Sequence, residues 1–163
     1  MPRSARWAAV LTAAAATSLA ALALANPGAG KAPGLPPGFR AWMHVKSMAV
    51  TDREHGMYGF HNVYANKEAL KGLRARGQAR TFERGATFVV SIFEVETKEG
   101  TLSAGAKRRD VVQVKDPAAT ATGGWRFAAF DPAGTPIAID AAACAGCHAA
   151  ARATDSVYAT LTE

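Results

Sequence analysis

The sequence Cys144-Ala145-Gly146-Cys147-His148, directly after the alanines at 141–143, is the stretch around which this chain is organised. If Asp140 caps a helix over Ala141–Ala150, the two thiols and the imidazole share one helix face. Two thiols and an imidazole at this spacing are the attachment pattern of a c-type haem. Each thiol adds to a vinyl group, and the imidazole binds the iron. The pattern predicts one covalent haem c on Cys144 and Cys147, with His148 as the iron ligand.

Other uses of a Cys-x-x-Cys pair fit this chain less well. A thioredoxin-like redox pair does not explain the histidine that follows directly, and no βαβ pattern precedes the motif. A structural zinc site needs four ligands, and the sequence contains no second Cys/His pair. A local disulfide would leave His148 without a role. Because the sequence has only two cysteines, it has no disulfide framework if both bind haem.

The N-terminal segment Met1–Ala25 has the features of a secretory signal peptide. Basic residues at Arg3 and Arg6 precede an apolar, alanine-rich stretch that ends in small residues, so we predict cleavage after Ala25. A membrane anchor is the alternative for this segment. No later segment reaches the roughly 20 apolar residues of a spanning helix. Export agrees with thioether attachment, which takes place outside the cytoplasm in bacteria, and it predicts a periplasmic protein without a membrane span.

The rest of the chain is long enough for one domain with a core of its own. Residues 26–38 are rich in Pro, Gly and Ala and predict a flexible lead-in, so the single haem c domain is expected over residues 39–163. The loss of Arg3 and Arg6 with the leader lowers the net charge from +6 to +4, a mild basicity that suits solubility or an acidic redox partner protein. It does not indicate nucleic-acid binding, because no basic stripe with interleaved aromatic residues is present.

Hydrophobic alternation upstream of the motif predicts strands. On the first of them, one face is expected to carry Trp42, His44, Lys46 and Met48. One helix is predicted after Asn66, with Gly77 beyond its end. The predicted fold class is therefore α+β, a mainly antiparallel sheet with a mid-chain helix and a C-terminal helix that carries the haem motif. The predicted strands are Ala41–Val50, Met57–Ala65, Thr87–Val95, Arg108–Lys115 and Trp125–Phe130.

Several blocks, in their order, resemble a known family. They are AWMHVKSMAV at 41–50, MYGFHNVYAN at 57–66, Val114-Lys115-Asp116, Thr122-Gly123-Gly124-Trp125 and the terminal Cys-x-x-Cys-His. Together they resemble the cytochrome P-460 and cytochrome c′-beta family from about Phe39 to Val157. The resemblance implies a homodimer of antiparallel β subunits. It also implies a five-coordinate haem c in each subunit, with a distal side open to small ligands.

The family divides into two chemistries, and single residues bear on the division. Members of the P-460 type oxidise hydroxylamine, and their haem carries an additional link to a lysine on the strand equivalent to 85–94. The resemblance places Val90 at that lysine position, and the stretch Gln78–Thr97 contains no lysine. Members of the c′-beta type lack the link and bind nitric oxide or carbon monoxide in an apolar pocket.

The resemblance also assigns the other distal positions. A distal carboxylate of the P-460 type falls near Val111, with Asp110 adjacent, and a basic distal residue falls at His61. In the c′-beta type a phenylalanine lies over the iron, and Phe60 is at that position. Where a second phenylalanine is common, this chain has Val90, which implies a roomier pocket. From pattern alone, ordinary core packing is the alternative for Phe60 and Val90.

These residues predict a periplasmic haem c protein of the c′-beta kind that binds nitric oxide and carbon monoxide, as a scavenger or a sensor. An apolar cap with no nearby hydrogen-bond donor suits neutral diatomic ligands and leaves heterolytic peroxide chemistry without an acid–base pair. One alternative is a hydroxylamine-oxidising enzyme, and another is an electron-transfer cytochrome with a sixth ligand. A binding protein is preferred to an enzyme, which would be a hydroxylamine or nitric oxide oxidoreductase. Candidate sixth ligands are His44, His55, His61, Met43, Met48 and Met57.

Overall fold

The computed structural model of the chain describes residues 30–75 and 80–161. The predicted signal peptide Met1–Ala25 and the predicted helix-ending Gly77 lie outside the described residues. No helix within the described ranges is long and apolar enough to cross a membrane.

The described residues form a six-stranded sheet whose strands neighbour one another in chain order, and every pair is antiparallel. The helix α1 follows the second strand, and α2 follows the last one. This arrangement confirms the predicted α+β class. The elements are β1 (Met43–Val50), β2 (Gly59–Ala65), α1 (Lys67–Arg74), β3 (Thr87–Lys98), β4 (Thr101–Lys115), β5 (Trp125–Phe130), β6 (Pro136–Ile137) and α2 (Ala141–His148).

Strand β1 departs from the alternation that its sequence predicts. A bulge lies between His44 and Lys46, so that His44 is opposite Tyr64 and Lys46 is opposite Val63. The extra residue, Val45, is 3% exposed and belongs to the main core. Because a bulge shifts the period of two by one residue, the predicted common face for Trp42, His44, Lys46 and Met48 is wrong.

The hairpin between β3 and β4 is longer than the sequence predicts. Its strands continue past Val95 to a tight turn at Glu99 and Gly100, which both have positive φ. Apart from Leu102, the residues at 96–104 are polar or small, and all of them are exposed, so they give no alternating hydrophobic signal. The two-residue strand β6 was missed because it is so short.

Each face of the sheet carries its own core. We call the face that packs against α2 the motif face; its side chains include Val63, Phe88, Val90 and Phe127, in one cluster with Cys144 and Ala145 of α2. We call the other side the far face; it packs Val89, Val112, Ala128 and Phe130 against Phe39 and Leu35. Since adjacent residues of a strand point to opposite faces, the register assigns every strand residue to one face.

Helix α1 begins where the sequence predicts. The Asn66 side-chain oxygen accepts a hydrogen bond from the Ala69 backbone N–H at 2.9 Å and caps the helix. Its amide nitrogen donates to the Gly85 carbonyl at 2.9 Å, which ties the helix start to the entry of β3. Ala69 and Leu73 are buried and pack into the motif-face core.

Candidate functional site

Helix α2 presents the two cysteines and the histidine. The Asp140 carboxylate accepts hydrogen bonds from the backbone N–H groups of Ala142 and Ala143, at 2.8 and 3.3 Å, and so caps the helix as predicted. The helix ends at His148, earlier than predicted, and a 3-10 segment continues over Ala149–Thr154. Both cysteines are free thiols, with Cys144 partly buried and Cys147 exposed. Burial, and then the Asp140 charge, raises the pKa of Cys144.

The imidazole of His148 is held in one orientation. Its Nδ1 lies 2.8 Å from the Ser156 carbonyl oxygen, and its ring lies between Phe127 and Tyr158, each with a centroid 5.3 Å away. A carbonyl only accepts, so Nδ1 must carry the proton and donate it. In the neutral imidazole this bond leaves Nε2 without a proton, which is the form that a metal-binding histidine needs.

The Ser156 carbonyl is itself fixed by a turn with an unusual backbone. Asp155 and Ser156 have φ of 52° and 61°, a left-handed conformation that non-glycine residues adopt only at a cost. The Gln113 side-chain nitrogen also donates to the Ser156 carbonyl, at 3.2 Å. The oxygen that accepts from His148 is therefore positioned from the sheet as well as from its own turn.

Asp155 anchors this turn by contacts to three residues, two of which, Lys115 and Trp125, belong to the sheet. Its carboxylate pairs with the Lys115 ammonium at 2.6 Å and accepts from the Phe82 backbone N–H at 2.9 Å. Its carbonyl accepts from the Trp125 indole N–H at 2.9 Å. The Lys115 ammonium also lies 4.9 Å from the centroid of the Trp125 ring. Sequence reasoning missed this support because the partners are 30 to 73 residues apart along the chain.

Opposite α2, the motif face presents an apolar row. Val63, Val90 and Val111 are cross-strand neighbours on β2, β3 and β4, and Ala129 follows on β5. Val90 and Val111 are only partly buried, and Val90 and Cys144 both pack against the same buried cluster. Val90 therefore lies on the face of the sheet that packs against α2.

The next row of the motif face includes two polar side chains, His61 and Arg109. Here Met48, His61, Ile92 and Arg109 are neighbours across the four strands β1 to β4. His61 is 3% exposed, and its Nε2–H donates to the Met57 carbonyl at 2.7 Å. Burial, and secondarily the Arg109 charge, lowers the pKa of His61. This face is thus not uniformly apolar, contrary to the prediction of a site without a nearby donor.

Arg109 was not recognised in the sequence, although alternation back from Val111 places it on the same face. Its Nη2 donates to the Gly56 carbonyl and lies 3.8 Å from the Met57 sulfur. Charge on Cys144 and charge on Arg109 each shift the pKa of the other, so the thiol and the guanidinium lie in the same neighbourhood.

Two predicted distal residues lie on the far face. Phe60 pairs with Phe93, one residue from His61, and so points away from α2. The prediction that its ring covers the iron does not fit this register. Asp110 is fully buried on the same far face, where it accepts from the Ser91 hydroxyl at 2.7 Å and pairs with Lys107 at 2.6 Å. Its carboxylate is satisfied by a structural network and does not reach the motif face.

The other candidate iron ligands lie elsewhere or are exposed. His44 bonds to Ser47 at 3.0 Å on the surface, and His55 accepts from the Met57 backbone N–H at 3.0 Å. Met43 and Met48 are 45% and 38% exposed. Among residues 30–75 and 80–161, no group of three or more His, Cys, Asp or Glu side chains is arranged to hold a metal ion directly.

The donor set fits an iron porphyrin. Two free thiols and an imidazole whose Nδ1 donates to a backbone carbonyl lie on one helix, and the partly buried Val90 packs against the same core as Cys144. A sheet and helix arranged in this way define a haem-binding cytochrome. A sequence model of one family, Cytochrome P460, matches residues 36–159. The chain belongs to the Cytochrome P460 family, and its cofactor is a haem with iron. The comparison with curated proteins finds no match.

Proposed function

We propose that this protein is a periplasmic mono-haem c cytochrome of the c′-beta type that binds nitric oxide and carbon monoxide. The observation that carries the proposal is Val90, a side chain without a nucleophile, at the centre of the motif face between Val63 and Val111. The P-460 type requires a lysine at this position for its additional link. An apolar, partly buried surface there favours small neutral ligands.

Residues of α2 bind the cofactor in this proposal. Cys144 and Cys147 form thioether bonds to its two vinyl groups, and His148 offers Nε2 to its iron. When bound, the haem supplies an iron position that can take up a diatomic ligand. The Ser156 carbonyl holds the His148 ring and its tautomer.

Residues of the motif face shape the ligand side. Val90 and Val111 limit the space and exclude water, while His61 keeps its Nε2 engaged with the Met57 carbonyl. That bond leaves His61 less suited to act as a sixth ligand through Nε2, so a five-coordinate iron is favoured over the electron-transfer alternative. The proposed roles of this protein are scavenging or sensing of nitric oxide.

Hydroxylamine oxidation is the second candidate function, and one observation favours it. His61 is buried on the motif face, and its lowered pKa keeps the imidazole neutral and able to accept a proton at Nδ1. The carboxylate expected of that enzyme type is not supplied by Asp110, which lies on the far face.

The cell location and assembly complete the proposal. The signal-like segment Met1–Ala25 supports export with cleavage after Ala25, and a homodimer is proposed because the resemblance described above implies it. An acidic redox partner is compatible with the net charge, which falls from +6 to +4 when cleavage removes Arg3 and Arg6.

Carbon monoxide binding to the reduced protein, followed with parallel assays of hydroxylamine turnover, tests the function. We expect one carbon monoxide per chain and no steady turnover. Val90→Phe overpacks the proposed ligand space, so the affinity of the reduced protein for carbon monoxide should fall about 5- to 150-fold. Val95→Phe makes the same change in the outer part of the same strand and should leave affinity unchanged. Steady hydroxylamine oxidation by the wild type, lost in His61→Gln, would replace the binding function with the enzyme.

A further inference from the structure

Strand β4 carries three consecutive cations, Lys107, Arg108 and Arg109, and among the described residues Arg109 has no carboxylate partner. Lys107 pairs with Asp110 at 2.6 Å, and Arg108 pairs with Glu94 at 2.7 Å. Within the described residues, no carboxylate lies within ion-pair distance of Arg109. A cation without a counter-charge, on the face that receives the cofactor, requires an explanation.

The contacts of Arg109 use only part of its hydrogen-bonding capacity. Its Nη2 donates to the Gly56 carbonyl and touches the Met57 sulfur, which fixes the side chain against the loop before β2. Its Nε is buried and has no hydrogen-bond partner. A buried donor without a partner costs about 1–3 kcal/mol, so the guanidinium is held on this face at some cost.

The surroundings of Arg109 favour negative charge. The buried His61 is its neighbour two strands away in the same row, and its low pKa keeps it from adding a second charge. The Cys144 thiol is the nearby group that could become an anion, and a thioether bond at that sulfur would remove this possibility. The guanidinium then remains the dominant charge beside the apolar row of Val90 and Val111.

We propose that Arg109 binds a small oxyanion, of the size and charge of nitrite, on the motif face beside the cofactor. The planar guanidinium is anchored at Nη2 by the Gly56 carbonyl, and its Nη1, which makes no hydrogen bond to a described residue, would donate to the anion. This site would give the protein a second class of ligand besides neutral diatomics. The inference rests on the proposed function, because that function places the cofactor on this face.

Nitrite titration of the oxidised protein, followed by absorption spectroscopy and calorimetry, tests the site. Arg109→Leu should weaken nitrite binding about ten- to a hundredfold, as expected for loss of a charge-assisted bond. Arg109→Lys should recover part of the affinity, because it retains the charge. Arg108→Leu removes the same charge from the neighbouring position and should leave nitrite affinity within about twofold, since Arg108 is paired with Glu94.

Other outcomes separate this inference from the proposed function. If reduced wild type binds carbon monoxide but Arg109→Leu binds nitrite as tightly as wild type, the oxyanion site is refuted. If the cofactor's own carboxylates neutralise Arg109, Arg109→Leu should also bind nitrite as tightly as the wild type. Unchanged nitrite affinity for that reason refutes the oxyanion site as well. Failure of carbon monoxide binding would instead refute the proposed function. If Arg109→Leu does not fold, wild-type nitrite affinity that is independent of salt concentration overturns the site, and a steep decrease with salt supports it.

Discussion

Asp155→Ala is the substitution whose effect the structure predicts in most detail. It removes the acceptor of the Phe82 N–H, a bond to a charged group worth about 1.5–3 kcal/mol. It places alanine at a φ of 52°, which costs about 1–2 kcal/mol. It also leaves the partly buried Lys115 without its partner, which adds about 1 kcal/mol after allowance for solvent screening. We expect a total destabilisation of about 4 kcal/mol.

Asp155→Asn is the matched control. Asparagine tolerates the left-handed conformation, and its amide oxygen can still accept from Phe82, so only the ion pair is lost. Its destabilisation should be about 1 kcal/mol. Chemical denaturation followed by circular dichroism measures the free energy of unfolding of both variants. In a thermal scan, the melting temperature of Asp155→Ala should be about 10–15 °C lower than that of the wild type.

The same substitution should act on His148 through the Ser156 carbonyl. Without the anchored turn, the Nδ1–H bond weakens and the imidazole becomes a poorer electron donor, so the reduction potential of the holoprotein should become more positive. An Asp155→Ala protein with the stability of Asp155→Asn and an unchanged potential would refute the positioning of His148 by this turn.

Three further predictions concern the faces of the sheet and the assembly. Phe60→Ala should change carbon monoxide affinity less than about twofold, because Phe60 lies on the far face; a tenfold tighter complex would place its ring over the iron after all. The free energy of unfolding should fall as the pH drops below about 6.5, because burial lowers the folded-state pKa of His61 and the unfolded state takes up the proton first. His61→Gln should show a smaller fall between pH 7 and 5 in urea titrations; an identical slope in both proteins would exclude His61 as its source. Light scattering should give twice the chain mass at micromolar concentration, and a monomer would contradict the proposed homodimer.

The sequence was sufficient for the parts of the fold that depend on local signals. The strand positions, the Asn66 cap and the Asp140 cap follow from alternation and from side chains that bond to the nearest backbone. The bulge at Val45 could not be predicted, because no local sequence feature shows at which residue a strand takes up an extra, unpaired residue. The extended β3–β4 hairpin was hidden for a related reason, since its polar residues carry no burial pattern.

The site was predictable along α2 and poorly predictable on the sheet. Cys144, Cys147 and His148 lie within five residues, so their spacing alone places them together. Phe60 and His61 are adjacent, and a difference of one residue exchanges the faces on which they lie. The support of His148 by Gln113 and Asp155 depends on pairs far apart in sequence, which only the folded chain brings into contact.

The mass of the purified, exported protein tests the central claim most directly, namely that Cys144 and Cys147 hold one haem. After acid–acetone extraction, we expect the mass of the chain from Asn26 to Glu163 plus one haem. The double variant Cys144→Ala, Cys147→Ala should give the mass of the polypeptide alone. A wild-type mass without haem after extraction, or a double variant that retains it, would contradict covalent attachment through these two residues.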